Sequence, residues 1–330
     1  MKSFSHRLFP EKISPLMQRL IQEKRTRVMA QFLYNSREQE VQKLELEDPI
    51  GDAKDTPVKG ITHRYGDRVL LKASHRCAVH CRFCFRRNWV GLHEQDLSGE
   101  ELQNALRYID EHKELREVIL SGGDPLVLQF SVLREIFVAL ESMPHIKIVR
   151  FHSRVPVVAP ERITDDVLEL IGGSSKMVWI VIHSDSAEEF TAEAAAAIRK
   201  LRRTGVPLLS QSVLLKGVNA TIDDLEALFR QFIELGIKPY YLHYPDLAQG
   251  THHFRIPLEE ALSLISELRA RVSGIAIPTL ALDIPGGHGK IAFSDPHPVV
   301  VGKGQWQVQS PLSNQKLTVT YPTGTAEKKK

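Results

Sequence analysis

Between about residues 68 and 282, short runs of β-branched and aliphatic residues alternate with longer segments whose apolar positions recur every three or four residues. The short runs predict strands over 69–73, 118–121, 146–152, 178–183, 207–215, 240–243 and 275–282. The longer segments predict helices over 99–112, 130–142, 165–171, 188–203, 222–235 and 258–272. Several helix starts are signalled locally. Ser98, Thr164 and Thr221 each precede acidic residues and offer a side-chain oxygen to the unpaired first amides, and Pro257 suits a first helical position. One further amphipathic helix is expected from Ser14-Pro15. Strands alternating with helices require parallel pairing through right-handed crossovers, hence an α/β fold, either a doubly wound sheet or a barrel.

Parallel strands bind ligands at their C-terminal ends, and polar residues gather there. Ser121-Gly122-Gly123-Asp124-Pro125 follows the second strand, His152-Ser153-Arg154 ends the third and His183-Ser184-Asp185 ends the fourth. Gln211 lies in the fifth, with Asp246 just after the sixth and Asp283 just after the seventh. Each has a duller explanation. A Gly-Gly-Asp-Pro turn breaks strands and caps helices in many proteins, and His183 alone reads as a structural histidine.

Composition narrows the class. The chain has 330 residues, 42% hydrophobic and 25% charged, enough for one large core. The net charge of +3 owes much to the terminal Glu327-Lys-Lys-Lys330, a solvated end too short for a nucleic-acid arm. The longest wholly apolar run, 177–182, cannot span a bilayer, and residues 1–12 lack a secretory signal. A cytoplasmic, reducing location is the expectation, with no nucleic-acid or membrane partner.

All three cysteines, Cys77, Cys81 and Cys84, fall within eight positions. An odd number so tightly spaced argues against a disulfide framework. Three thiolates hold three irons of a cubane cluster and leave the fourth iron open. The alternative is a zinc site completed by His75 or His80, although the second ligand pair usual in zinc motifs is absent. A second candidate is Leu282-Asp283-Ile-Pro-Gly-Gly-His-Gly-Lys290, a poor phosphate loop because Ile284 and Ile291 stand where Gly and Ser/Thr belong. Lys290 is either an exposed loop residue or an amine presented to an aldehyde cofactor.

The cysteine spacing, with Phe83 ahead of the third thiol, resembles the signature of radical S-adenosylmethionine (SAM) enzymes. Further segments match in order: Leu46-Glu-Asp-Pro-Ile-Gly51, Thr62-His-Arg64-Tyr65-Gly-Asp-Arg68, Arg86-Arg87, Ser121-Gly-Gly-Asp-Pro, Gln211-Ser-Val-Leu-Leu with Asn219, Tyr240-Tyr-Leu-His, Asp246-Leu-Ala-Gln-Gly, His253-Phe-Arg255 and the Asp283 to Lys290 loop. Over about residues 45–295 the chain thus resembles the lysine 2,3-aminomutase family. The resemblance implies a partial (β/α)6-type radical SAM barrel over 61–283, a helical extension over 1–60, and a segment 284–330 closing a pyridoxal phosphate (PLP) site. It implies a [4Fe-4S] cluster on Cys77, Cys81 and Cys84. SAM would lie against Ser121, Gly122, Gly123, Asp124, His183 and Gln211, and PLP would be carried by Lys290 as a Schiff base, its phosphate anchored by Arg64, Tyr65 and Arg68. Arg86 would take the substrate carboxylate, and Asp246 with Asp283 the ε-ammonium of lysine.

The implied reaction moves the α-amino group of L-lysine to C3, giving β-lysine. A reductant such as flavodoxin or ferredoxin is implied as a partner, and a homo-oligomer is compatible with the family. Alternatives are the branch serving elongation factor P β-lysylation, an aminomutase for another amino acid such as glutamate, and a zinc-stabilised binding module without chemistry. The chain departs from many relatives in having no further cysteines for zinc and in placing His288 where they carry glycine.

Overall fold

The computed structural model describes residues 9–92, 94, 96–293, 299–302, 305–309 and 316–320. Nine strands form one sheet in sequence order: β1 (Ile61–Tyr65), β2 (Arg68–Ser74), β3 (Glu117–Gly122), β4 (Ile148–Ser153), β5 (Met177–His183), β6 (Leu208–Val213), β7 (Lys238–His243), β8 (Thr279–Asp283) and β9 (Lys290–Phe293). Neighbours from β2 through β8 pair in parallel, while β1 and β9 flank them antiparallel. Three further strands, β10 (Val299–Gly302), β11 (Gln305–Gln309) and β12 (Lys316–Thr320), make a separate antiparallel sheet.

The helices are α1 (Pro15–Gln22), α2 (Thr26–Phe32), α3 (Gly99–Glu111), α4 (Phe130–Glu141), α5 (Val155–Val158), α6 (Asp165–Gly172), α7 (Ala192–Arg203), α8 (Ile222–Glu234) and α9 (Leu258–Arg271). Each strand from β2 to β7 is followed by a helix before the next strand, and β8 ends the series. This is a partial α/β barrel of six strand–helix units plus a seventh parallel strand. The helices bury apolar faces at helical spacing, as in Leu225, Leu228, Phe229 and Phe232 of α8. Ser98, Thr164 and Thr221 all accept the expected capping bonds.

Boundaries differ from the sequence expectation where tertiary contacts intervene. The helix expected over 188–203 begins only at Ala192, because Ser186 and Glu189 close a separate 3-10 turn and Thr191 caps the helix afresh. The strand expected over 275–282 starts at Thr279, after a 3-10 turn at Gly274–Ala276. Strand β7 starts early, at Lys238, and includes Pro239, where the pairing with β6 shifts register because proline has no amide hydrogen. The flanking strands β1 and β9 were not expected at all.

The N-terminal helices support the cysteine segment from behind. Met17 and Leu20 of α1 and Val28 and Phe32 of α2 pack with Val79, Val158 and Ala159. Arg82, fully buried, donates to Glu38 and to the carbonyl of Phe9, while Arg87 donates to the same Glu38 carboxylate at 2.6 Å. Burial pulls against the charge of Glu38, but the two arginines outweigh it and hold its carboxyl below the usual range.

Phe232→Ala should cost about 3–5 kcal/mol in chemical denaturation, because its ring is fully buried in the core. Val138→Ala on the exposed side of α4 should stay within about 0.5 kcal/mol.

Candidate active site

Alternation along the strands decides which side chains face inward. In β4, Val149 and Phe151 are buried in the apolar core, whereas Arg150 and His152 line a central cavity of about 520 Å³. That cavity is also lined by Cys77, Cys81 and Cys84, by Arg64, Tyr65, Arg68 and Arg86, and by Ser121, Gly122, Gly123 and Asp124. His183, Gln211, Asp246, Asp283 and Lys290 complete the wall. Every residue singled out in the sequence for cluster, cofactor or substrate therefore faces one space.

The cysteine loop leaves β2 through an ordered turn. Asp96 accepts from Ser74 Oγ, His75 N and Arg76 Nε, and the amides of Gly123 and Asp124 donate to the carbonyls of Ser74 and Arg76. A Cβ on Gly123 would lie 2.1 Å from the Arg76 oxygen, so the two segments approach this closely only because residue 123 is glycine. The Asp124 carboxylate accepts from Ser153 Oγ and from the amides of Leu126, Arg154 and Val155, so its side chain is a structural cap.

The three thiols are a donor set that suits an iron–sulfur cluster with one open iron. All are free and open on the cavity, yet among the described residues no three His, Cys, Asp or Glu side chains converge as a single-ion site. His80 points elsewhere, its Nδ1 2.9 Å from the Pro10 carbonyl and its ring stacked on Phe9. Burial pushes the Cys81 thiol up to about 12 and raises Cys77 and Cys84 as well, so without a metal they are protonated and inert.

At the opposite wall, the antiparallel pairing of β8 with β9 sets Asp283 directly across from Lys290. Their side chains form an ion pair, and His243 Nδ1 lies 3.2 Å from Lys290 Nζ. Burial opposes ionisation of Asp283, but the His243 hydrogen bond and the Lys290 ammonium outweigh it and bring the carboxyl down to about 2. Asp246 differs: burial and then the charge of Asp283 push it up to about 7. The glycine loop between them folds onto residues 50–54. Gly286 N donates to Pro49 O, and a Cβ on Gly51 would meet the Gly286 carbonyl carbon at 2.8 Å.

Between these walls lies a group of cations around one carboxylate that sequence reading missed. Asp52 accepts from Arg86 Nε at 2.9 Å and pairs with its Nη2 at 2.9 Å; Arg64 Nη2 lies 3.5 Å away and Lys72 Nζ 3.8 Å away. Burial and the neighbouring Arg86 lower Lys72 to about 8. Arg64 is further fixed by Asp55 and by the carbonyl of Ile50. Arg68 lies over the Tyr65 ring, 3.8 Å from its centroid, and pairs with Asp67. Three cations about Asp52, with Asp55 pairing with Arg64, leave positive charge suited to anionic groups. His152 was placed at a strand end by the sequence without a role; its Nδ1 lies 2.8 Å from Gln211 Oε1.

Residues 71–232 match the model of the Radical SAM superfamily. The L-lysine 2,3-aminomutase of Escherichia coli K12 is 41% identical over 243 residues, 74% of this chain and 70% of that protein. The namesake from Bacillus subtilis is 39% identical over 258 residues, and that from Methanococcus maripaludis 38% over 287. The chain spans 55% and 66% of the lengths of these two relatives. Among solved structures, Streptococcus suis SuiB bound to S-adenosylmethionine matches with a TM-score of 0.48 at 14% identity, over 66% of this chain and 50% of that one, too distant to add to the family assignment.

Gly123→Ala should force the strand β3 exit away from Arg76 and disturb the cysteine loop. Anaerobic reconstitution should then give markedly less bound iron and sulfide per chain than the unaltered protein, at unchanged helix content by circular dichroism.

Proposed function

We propose that this chain, which belongs to the lysine 2,3-aminomutase family of radical SAM proteins, is an isomerase that converts L-lysine to β-lysine. The observation that carries the reading is the joint placement of Asp246, Asp283 and Lys290 in the cavity that also holds the three cysteines. When bound, the cluster with SAM supplies a hydrogen-abstracting adenosyl radical, and PLP supplies an electron-accepting ring for the migrating nitrogen. The donor set suits both groups. Three free thiols share a loop, a primary amine faces the cavity, and Arg64, Tyr65 and Arg68 line the same cavity with guanidinium and phenol donors for a phosphate.

The protein's own part is to bind, orient and exclude water. Asp52 holds the Arg86 guanidinium through two contacts, which aims it for a substrate carboxylate. Asp283 and Asp246 receive the distal ammonium, with Asp283 ionised throughout the neutral range. Lys290 carries the PLP and leaves Asp283 to the substrate. Ile50, Leu70, Ile119 and Val213 line the cavity with apolar surface that keeps water from the reactive centre. Glutamate is the poorer substrate, because a second carboxylate about 4 Å from Asp283 costs roughly 4 kcal/mol at an effective permittivity of 20.

Reconstituted, reduced protein supplied with SAM and PLP should convert lysine and leave glutamate and arginine unchanged in chromatographic product analysis; conversion of glutamate alone would overturn the substrate assignment. Lys290→Ala should abolish PLP retention through gel filtration while iron content stays the same. The pH dependence follows from Asp246. Below about pH 7 it is neutral and above that it is a carboxylate, so KM for lysine should fall as pH rises from 6 to 8. Asp246→Asn should flatten that profile and raise KM at pH 8 by about tenfold or more, the scale of one charge-assisted hydrogen bond.

A further inference from the structure

Arg154 directly follows β4, and its side chain is buried beneath the cysteine loop with only 5% of its surface exposed. Its Nη1 donates to Cys81 Sγ at 3.0 Å. The guanidinium is held there from three other directions. Nη2 donates to Glu189 Oε2 at 2.7 Å and to Gln31 Oε1, and Nη1 lies 3.2 Å from Asp185 Oδ2. Both carboxylates are themselves fixed: Glu189 accepts from the amides of Asp185 and Ser186, and Asp185 from the amide of Val213 and from His183. The rings of Phe32 and Phe83 lie 4.9 and 5.7 Å from the guanidinium carbon. Two buried carboxylates would suffice to explain a buried arginine. The arm that pairs with Asp185 also reaches the Cys81 sulfur, at the shorter of its two distances.

Resting on the family reading of the cysteines, we propose that Arg154 is a positioning residue of the cluster that raises its reduction potential. A charge-assisted N–H···S bond withdraws electron density from the Cys81 thiolate. The oxidised cluster takes up one electron from an external one-electron donor, such as a reduced flavin or iron–sulfur protein, and no bond is made or broken in that step. The added negative charge spreads onto the sulfurs, so a donor fixed beside one of them stabilises the reduced form. Glu189, Asp185 and Gln31 hold the guanidinium in place so that no reorganisation accompanies the electron.

Two measurements on reconstituted, dithionite-reduced full-length protein test this. Protein carrying ¹⁵N-guanidino arginine should show a weak ¹⁵N coupling to the cluster spin by pulsed electron paramagnetic resonance, and Arg154→Lys prepared in the same way should lose it. In redox titration, at the potential where half the unaltered clusters are reduced, the ratio of reduced to oxidised cluster in Arg154→Lys should fall about tenfold, equivalent to 59 mV for one electron. Lysine keeps the buried positive charge, so Asp185 and Glu189 stay paired with a cation. Absence of the ¹⁵N coupling in the cluster-loaded, unaltered protein overturns the proposal without recourse to any variant, as does an unchanged potential in Arg154→Lys. Iron and sulfide content is determined first: protein that binds no cluster would overturn the family reading of the cysteines instead.

Discussion

Parallel pairing from β2 through β8 brings the C-terminal ends of seven strands to one rim, and the site depends on that constraint. Side chains two residues apart share a face, so Ser121, His152, His183, Gln211 and His243 are directed inward by strand geometry alone. Two antiparallel additions complete the cavity. Strand β1 contributes Arg64 and Tyr65 from one edge, and β9 contributes Lys290 from the other. The groups proposed for cofactor phosphate and cofactor amine thus come from opposite margins of the same sheet.

Charge balance organises the interior as strongly as the sheet does. Glu38 joins Arg82 and Arg87 beside the cysteine loop, Asp52 gathers Arg86, Arg64 and Lys72, and Glu189 with Asp185 secures Arg154. Removing one member of such a buried group typically costs 3–5 kcal/mol, because the partner charge is left unpaired. The pattern explains how so many arginines lie around one cavity without collapsing onto the carboxylates proposed for substrate. Arg82 and Arg87 share Glu38, Arg86 and Arg64 share Asp52, and Arg154 has Asp185 and Glu189, while Asp246 is held near neutrality by burial and by Asp283.

The parallel strands were legible because their runs are apolar and their helices carry caps. Strands β1 and β9 were not, since Ile-Thr-His-Arg-Tyr and Lys-Ile-Ala-Phe are short, and polar or charged residues begin or fill them. The chemistry of the site was legible where it lies in local motifs, as in the cysteine run and the Asp283 to Lys290 loop. Asp52, Glu38, Glu189 and the contact of Arg154 with Cys81 were not. Each is a buried group whose hydrogen bond to Arg82, Arg86 or Arg154, or from Arg154 to Cys81, spans 34 to 73 residues. The capping spacings of Asn35 with Glu38 and of Ser186 with Glu189 were local traces, and the second accounts for the late start of α7.

The proposed reaction sets a radical source and an ammonium pocket in one cavity, and under that proposal nitrogen moves within a single bound lysine. The direct measurement is ¹³C nuclear magnetic resonance of the product formed from L-lysine labelled with ¹⁵N at the α-nitrogen and ¹³C at C3, under reducing conditions with SAM and PLP. A one-bond ¹³C–¹⁵N coupling at C3 is the predicted result. Cleavage of SAM with the ¹⁵N still on C2 would contradict it.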